Sequence, residues 1–269
     1  MLNRSRCVVL VPIYDQVERA CEQSLHALEE RGYRVSRIDA GPDLPELLVQ
    51  TRPDVVFNAL HGRYGEDGTL QGALELMSLP YTGSGPMAAS LAMDKIMSKR
   101  IWLHHGLPTP DFAVLDASTE LSRIPEQLGL PLIIKPPHEG STVGVTKVCS
   151  HADMPNAYAQ AARFDTNVLA ERFIAGRELT VAILGSGRTA QALPVVEIVA
   201  PHGNYDYEHK YFSDDTRYYC PAALPPVVSD RVRQLALAAY QALGCAGWGR
   251  VDLMLDEVNQ PWLLEVNAS

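Results

Sequence analysis

Short apolar runs separated by helical stretches are the feature that most limits what this chain can fold into. Residues 7–11 have the continuous apolar character of a buried strand, and the apolar spacing over residues 20–28 predicts a helix that ends at Gly32. Two further short apolar strands are predicted at residues 35–38 and 55–60. Strands alternating with helices in this order favour an open, mainly parallel sheet.

The rest of the chain continues the mixture of helices and strands, but in a different order. A helical segment at residues 93–104 ends at Gly106, and a long helix is predicted at residues 231–243. Strands are predicted at residues 132–135, 143–148, 168–173, 179–184, 195–199, 250–255 and 262–266. We therefore predict an α/β (α+β) fold, with an open parallel α/β sheet over residues 1–95 and two α+β units over residues 96–178 and 179–269.

Charge and cysteine content limit the classes of function. A net charge of −9 in 269 residues argues against a nucleic-acid surface, since phosphate-backbone binding needs clustered Lys and Arg. No apolar stretch approaches the roughly 20 residues of a membrane helix, so no membrane association is expected. The five cysteines are scattered and never form a CxxC pair, which indicates neither a disulfide framework nor a zinc site. We expect a cytoplasmic protein.

A lysine followed by a glycine-containing loop is the first candidate site. Lys135 stands at the end of a predicted strand, and the loop that follows carries Gly140, Ser141, Thr142 and Gly144. Backbone amides and small side chains in such a loop cover phosphate oxygens, while the lysine adds a positive charge. The spacing of a Walker P-loop is absent, and a plain surface hairpin is the alternative.

Two carboxylates on a connector between strands form the second candidate. Glu171 and Glu178 flank the short segment from Arg172 to Arg177. A hinge strand of this kind offers backbone groups to an adenine edge and a carboxylate to a ribose diol. A charged connector with no ligand is the other interpretation.

The third candidate lies on two apolar strands near residue 269. Arg250 and Asp252 alternate onto one face of their strand, and Glu265 and Asn267 share a face of the next. The oxygens of Asp252, Glu265 and Asn267 are donors that Mg²⁺ prefers, and Mg²⁺ commonly bridges nucleotide phosphates. The alternative is that Arg250 only pairs with Asp252 or Glu265 inside the sheet.

Taken together, these segments resemble the D-alanine–D-alanine ligase family of ATP-grasp enzymes. The resemblance extends from about Asp54 to Asn267. It covers Ala59-Leu60-His61-Gly62, Glu66-Asp67-Gly68-Thr69, Met93-Asp94-Lys95, the Lys135 loop, the Glu171 hinge, Tyr205-Asp206-Tyr207-Glu208-His209-Lys210-Tyr211 and Gly247-Trp248-Gly249-Arg250-Val251-Asp252. The resemblance implies an ATP-grasp fold whose last two units clasp ATP.

The resemblance also implies roles for individual residues. The nucleotide would be held by Lys95, Lys135, Glu139, Ser141, Glu171, Arg172, Phe173, Ile174, Glu178 and Lys210. Two Mg²⁺ ions, or Mn²⁺ in their place, would be held by Asp252, Glu265 and Asn267. His61 would lie near the carboxylate of the first D-alanine, Arg250 would stabilise the oxyanion, and Ser141 and Tyr211 would hold the loop over residues 201–220 closed.

The implied reaction makes D-alanyl-D-alanine for peptidoglycan synthesis. One D-alanine carboxylate attacks the γ-phosphate of ATP to give an acyl phosphate, and the amine of a second D-alanine then attacks it. Water must be excluded, because an exposed acyl phosphate is hydrolysed. The family resemblance further suggests a homodimer.

The sequence departs from the family pattern at two places. Where most members have a glycine-rich segment with a glutamate that binds the first D-alanine, this chain has Asp15 as the best-placed substitute and Glu18 as a second one. The chain also stops at Ser269, where the family continues with residues of the acceptor site. We therefore expect a dipeptide ligase, with a fragment or shortened member of reduced activity, a degenerate ATP-binding protein and a ligase for other amino acids as alternatives.

Overall fold

The computed structural model describes residues 5–11, 18–140, 143–199 and 216–268. Of the residues whose role was inferred from the sequence, four lie outside this range: Asp15, Ser141, Lys210 and Tyr211. Glu18 is the first residue of helix α1.

The first unit contains the predicted parallel sheet. Its strands β1 (Arg6–Val11), β2 (Arg34–Asp39) and β3 (Val55–Asn58) lie in the order β2-β1-β3, and both pairings are parallel. Helices α1 (Glu18–Glu30) and α2 (Leu44–Thr51) make the connections. Alternate residues of β1 join two different cores, Val8 and Leu10 on one face and Val9 and Val11 on the other. Both faces of the central strand are covered, which explains its unbroken apolar sequence.

Three short helices follow: α3 (Thr69–Leu76), α4 (Pro86–Met93) and α5 (Lys95–His104). The sequence predicted one helical segment over residues 93–104, but the structure ends α4 at Met93 and begins α5 at Lys95. Asp94 separates them because its backbone is extended, with φ −83° and ψ 98°. Its carboxylate accepts hydrogen bonds from the backbone N–H groups of Ile96 and Met97 at 2.9 and 3.0 Å, as an N-cap residue does.

The second sheet is antiparallel and has four strands. These are β4 (Phe112–Leu115), β5 (Leu132–Lys135), β6 (Thr146–Val148) and β7 (Val168–Arg172), in the order β4-β7-β5-β6. Helices α6 (Ile124–Leu128) and α7 (Met154–Ala161) contribute buried side chains to the same core as the strands. Because β7 is central and pairs with β5, Glu171 and Lys135 come from neighbouring strands.

The third sheet is the largest and is also antiparallel. The strands are β8 (Gly176–Leu184), β9 (Gln191–Ala192), β10 (Val196–Val199), β11 (Arg217–Tyr219), β12 (Trp248–Asp256) and β13 (Pro261–Asn267). Their main path is β11-β10-β8-β12-β13, and β9 pairs with β8 at one end. Helix α8 (Pro226–Ala242) covers one face.

Helices α4 and α5 also belong to the core of the third sheet. Ala88 and Ala92 of α4 and Trp102 of α5 are buried in it, and Trp102 donates its indole N–H to the carbonyl of Ala239 at 3.3 Å. The division proposed at residue 95 therefore separates two helices that share one core.

The first and third sheets meet through the loop before α4. The Ser84 hydroxyl accepts a hydrogen bond from the Ala246 N–H at 3.1 Å, and the Ser84 N–H donates to the Ala268 carbonyl at 3.3 Å. Gly247 has φ +77°, and a Cβ there would lie 3.2 Å from the Gly83 backbone, so both conformation and space require glycine. This contact holds the ends of β12 and β13 against the first unit. Within the described ranges, no helix is long and apolar enough to cross a membrane.

Candidate active site

Helix α5 connects the loop after β5 to the last strand. The ammonium of Lys95 lies 3.1 Å from the Glu265 carboxylate and donates to the Glu139 carbonyl at 2.8 Å. The Lys95 backbone N–H also donates to the Pro137 carbonyl at 3.2 Å. One lysine thus brings a predicted phosphate loop next to a predicted metal ligand.

A second cluster joins Lys135, Glu171 and Lys99 in the interior. Lys135 donates to one oxygen of the Glu171 carboxylate, and the Lys99 ammonium lies 2.8 Å from the other. Lys99 is completely buried, and only 5% of the Glu171 side chain is exposed. Two ammonium groups share one carboxylate, so the cluster carries one positive charge in excess.

Burial and charge act in opposite directions on these groups. Burial lowers the pKa of Lys99 to about 8, although the Glu171 carboxylate opposes that shift. Burial alone would raise the pKa of Glu171, but the charges of Lys135 and Lys99 hold it near 2. At neutral pH the carboxylate is therefore ionised and Lys99 is largely protonated.

Thr109 links this cluster to the third sheet. Its hydroxyl accepts a hydrogen bond from Lys99 at 2.6 Å and donates one to the Leu263 carbonyl at 2.8 Å. Leu263 lies on β13, two residues before Glu265. The interior cluster and the strand that carries Glu265 and Asn267 are thus connected through one hydroxyl.

Asp252 is the centre of the third predicted site. It accepts two hydrogen bonds from the Arg250 guanidinium, each 2.9 Å long. Thr180 donates to the same carboxylate at 2.6 Å and Asn267 at 3.2 Å. Glu265 stands opposite Asp252 in the strand register. The predicted alternative, an Arg250–Asp252 pair inside the sheet, is present, and it fixes the plane of the guanidinium on a side chain that is 42% exposed.

The donors at this site fit a magnesium ion in their chemistry. Asp252, Glu265 and Asn267 provide two carboxylates and one amide oxygen on adjacent strands, and nucleotide phosphates and water normally complete such a coordination sphere. Among the described residues, no group of three or more His, Cys, Asp or Glu side chains forms a metal cluster by itself. The oxygen donors of Asp252, Glu265 and Asn267 are the kind that magnesium prefers.

The predicted adenine hinge continues from Glu171 into β8. The Arg172 guanidinium lies 4.8 Å from the centre of the Trp262 ring, and the Lys147 ammonium lies 3.7 Å from the centre of the Phe173 ring. Ile174 is buried. Glu178 lies on β8 opposite Ile198 of β10 and Met254 of β12 in the register, so it is next to the strand that carries Asp252.

His61 lies apart from these clusters in the chain, on the loop after β3. Its ring is 58% exposed and stands 3.7 Å from the Glu66 carboxylate. The loop is held by Asn58 and Gln71, which both donate to the Gly65 carbonyl, at 2.9 and 2.8 Å. The exposed imidazole is accessible to a small-molecule substrate.

His138 fixes the position of the loop after β5, a role that the sequence did not indicate. Its ring contacts Asp165 at 2.8 Å and Asp94, the N-cap residue of α5, at 3.4 Å. The hydrogen bond that the ring donates to Asp94, together with Asp165, raises the pKa of His138 to about 9 despite partial burial. The protonated ring therefore joins the loop to the start of α5.

Sequence reasoning also missed Lys99 and Thr109. Lys99 is four residues after Lys95, the spacing that places two side chains on one helix face. That spacing was the available signal, but a lysine on a helix usually marks the solvent-exposed side. Thr109 follows the break at Pro108 and carries no motif of its own.

Comparison with known proteins places the whole arrangement in a family. The family description "D-ala D-ala ligase C-terminus" matches residues 101–269, and "D-ala D-ala ligase N-terminus" matches residues 17–84. A D-alanine–D-alanine ligase of Bordetella petrii is 63% identical over 261 residues, which cover 93% of this chain and 80% of the relative. A D-alanine–D-alanine ligase of Ralstonia pickettii is 53% identical and covers 91% and 74%.

Solved structures agree with this placement. A D-alanine–D-alanine ligase from Bacillus anthracis superposes with a TM-score of 0.85 at 30% identity, over 98% of this chain and 86% of the other. A second structure of the Bacillus anthracis enzyme, complexed with ATP, gives a TM-score of 0.83 at 28% identity. The VanG D-Ala:D-Ser ligase of Enterococcus faecalis gives 0.84 at 27% identity, over 99% and 90% of the two chains.

The predicted ATP-grasp fold is thereby confirmed. Two family descriptions together span most of the sequence, and the identity to curated relatives is high along nearly its full length. The chain belongs to the D-alanine–D-alanine ligase family of ATP-dependent ligases.

Proposed function

We propose that this protein joins two D-alanines into D-alanyl-D-alanine, a peptidoglycan precursor, and converts ATP to ADP and phosphate in the process. The observation that carries the proposal is the position of Lys95, which contacts both the loop after β5 and Glu265. A phosphate held between these elements would be next to the carboxylates of the third site. The 63% identity to a D-alanine–D-alanine ligase supports the same substrates.

The nucleotide would lie between the second and third sheets. Lys95 and Lys135 supply positive charge for the phosphates, with Lys210 as a further cation outside the described residues. Glu171 and the segment over residues 172–174 would face the adenine, and Glu178 the ribose. Charge-assisted contacts from lysine to phosphate are the strong ones in such a site.

Asp252, Glu265 and Asn267 would hold two magnesium ions. When bound, these ions neutralise phosphate charge and make the γ-phosphorus easier to attack. Asp252 also orients Arg250 through two hydrogen bonds, so the guanidinium meets developing negative charge without reorganisation.

The proposed reaction has two steps. A carboxylate oxygen of the first D-alanine attacks the γ-phosphorus of ATP, so the bond to the bridging oxygen breaks and ADP leaves. The amine of the second D-alanine then attacks the acyl carbon, phosphate leaves, and the amine loses a proton. Arg250 would stabilise the oxyanion that forms at the acyl carbon after the amine attacks and before phosphate leaves. His61 and Asp15 would bind the first D-alanine. A homodimer remains a prediction from the family resemblance.

Measuring phosphate release with ATP, Mg²⁺ and D-alanine tests the proposal. L-alanine, D-serine and D-lactate are assayed in parallel, and the products are identified by mass spectrometry. We expect D-alanyl-D-alanine from D-alanine alone. Nucleotide binding without any ligation product would favour a degenerate ATP-binding protein, and a mixed product with another amino acid would favour a different ligase.

Arg250→Ala has a matched control in the same sheet. Arg177 makes the same two-point contact with Glu197, at 2.7 and 2.6 Å, but it has no proposed role in the reaction. Arg250→Ala should abolish dipeptide formation while Arg177→Ala retains it. Equal loss in both variants would mean that only sheet stability is involved.

A further inference from the structure

Lys99 is a buried cation that the proposed reaction does not use. None of its side chain is exposed, and it lies on α5 one turn after Lys95. Its ammonium contacts Glu171 at 2.8 Å and Thr109 at 2.6 Å, and lies 5.6 Å from the centre of the Phe112 ring. A lysine is almost never fully buried unless it is paired, so its charge needs an explanation.

Glu171 already has a partner in Lys135. Each oxygen of the carboxylate contacts a different lysine, so one of the two ammonium groups is more than neutrality requires. The two lysines differ in accessibility and attachment. Lys135 is 11% exposed at the end of β5, where the proposed phosphate loop begins, whereas Lys99 is enclosed and also held by Thr109.

The difference decides which lysine is available to a ligand. If Lys135 turned toward a phosphate with Lys99 absent, a buried carboxylate would lose its counter-charge, which is costly in a low-dielectric interior. With Lys99 in place, Glu171 keeps an ammonium partner at all times. Lys135 can then move from the Glu171 carboxylate to a nucleotide phosphate without leaving that carboxylate unpaired.

We propose that Lys99 is a positioning residue that neutralises Glu171 permanently and so frees Lys135 to bind a nucleotide phosphate. This inference rests on the proposed function, because it takes Lys135 as a phosphate ligand. The retained protonation of Lys99 at neutral pH, with a pKa near 8, agrees with it. Thr109 contributes by accepting a hydrogen bond from the Lys99 ammonium, which contacts the Glu171 oxygen that Lys135 does not contact.

The test compares ligands that differ only in their phosphates. Binding of ATP is measured by titration calorimetry, and binding of adenosine by ligand-observed NMR, for the wild type, Lys99→Met and Lys99→Arg. Lys99→Met should bind ATP about tenfold more weakly and adenosine about equally, since one charge-assisted phosphate contact is lost. Lys99→Arg, which keeps the charge, should retain more ATP affinity than Lys99→Met. Equal losses for ATP and adenosine would overturn the proposal, because they would mean a general disturbance of the pocket.

A double-mutant cycle tests whether Lys99 acts through Lys135. In a Lys135→Ala background, Lys99→Met should cause little further loss of ATP affinity. Additive losses would show that Lys99 acts independently and would refute the inference. A wild type that binds no ATP would instead refute the proposed function.

A second comparison applies if Lys99→Met does not fold. Glu171→Gln removes the charge that Lys99 neutralises, so the variants Glu171→Gln and Glu171→Gln/Lys99→Met should bind ATP equally. A further tenfold loss on removing Lys99 in that background would contradict the proposed role.

Discussion

Replacing Asp252 with Asn separates structural from chemical roles at the third site. The carboxylate has two donors on each oxygen: Arg250 and Thr180 face one, and Arg250 and Asn267 face the other. An asparagine amide has one NH₂ group, so in either orientation two donors meet a donor. The Arg250 bond to that nitrogen is lost whichever way the amide turns, and Thr180 or Asn267 keeps its bond only by turning an acceptor oxygen toward the new NH₂ group.

The cost follows from the Arg250 bond that is lost and the neighbouring bond that must rearrange. Hydrogen bonds to a charged group contribute roughly 1.5–3 kcal/mol each and neutral ones about 1 kcal/mol, with a reduction for the partial exposure of Arg250. Asp252→Asn should therefore lower the free energy of unfolding by about 2–4 kcal/mol. For a chain of this size that corresponds to a fall in melting temperature of several degrees, roughly 5–10 °C.

Glu197→Gln is the matched control on the same sheet. Glu197 receives two hydrogen bonds from Arg177, one on each oxygen, and its side chain is 15% exposed against 11% for Asp252. Only the bond from one Arg177 nitrogen is lost on amidation and no second donor must rearrange, so the expected cost is smaller than that of Asp252→Asn. The control should keep its ligase activity, whereas Asp252→Asn should lose it even at temperatures where it is folded.

Thermal unfolding without nucleotide, followed by circular dichroism, gives the stability of both variants. Phosphate release is then measured about 20 °C below the unfolding midpoint of each variant, where each is folded. An Asp252→Asn variant as stable as the wild type would refute the four-bond network. A destabilised variant with full activity would refute the metal role.

Three further predictions address single contacts. Lys135→Ala should weaken ATP binding about tenfold or more, measured with a fluorescent ATP analogue, and wild-type affinity would contradict its phosphate role. Glu265→Gln should fold but fail to release phosphate in the presence of Mg²⁺, because a negative charge is removed from a dication site; undiminished release would exclude metal ligation. His138 should stabilise the fold most below about pH 6.5, and that contribution should disappear as the pH rises through about 9, since its pKa is raised in the folded state. Unfolding curves of the wild type and His138→Gln across this range should therefore converge with rising pH, and a constant difference would show that the pairing with Asp94 and Asp165 does not depend on protonation.

The sequence predicted those parts of the fold that depend on local pattern. The strand Leu132–Lys135 lies where its apolar run predicted, and the parallel first sheet follows from its alternating strands and helices. The helix break at Asp94 was missed because an apolar pattern continues across it, and only the capping hydrogen bonds decide where α5 begins. Short elements such as α7 and β4 were missed because they contain too few residues to show a clear hydrophobic repeat.

Long-range contacts were the part that local pattern could not give. The sequence placed Lys135 and Glu171 in separate motifs for phosphate and adenine, yet their side chains meet because β5 and β7 are neighbours. The burial of Lys99 depends on how α5 lies between two sheets, which no local spacing specifies. The family resemblance supplied the role of Arg250, and the oxygen donors of Asp252, Glu265 and Asn267 predicted a magnesium site. The register of β12 and β13 brings these four residues together.

The regular rise of helix α5 fixes the distance between Lys95 and Lys99 along the helix axis. Four residues advance an α-helix by about 6 Å and return the side chain to nearly the same face. The helix therefore fixes the distance between the Lys95 contact with Glu265 and the Lys99 contact with Glu171. A single inserted residue between the two lysines would turn Lys99 by about 100° and remove it from Glu171. By contrast, the turn between β12 and β13 at residues 257–260 lies outside helix α5. An insertion there would leave the spacing of Lys95 and Lys99 unchanged.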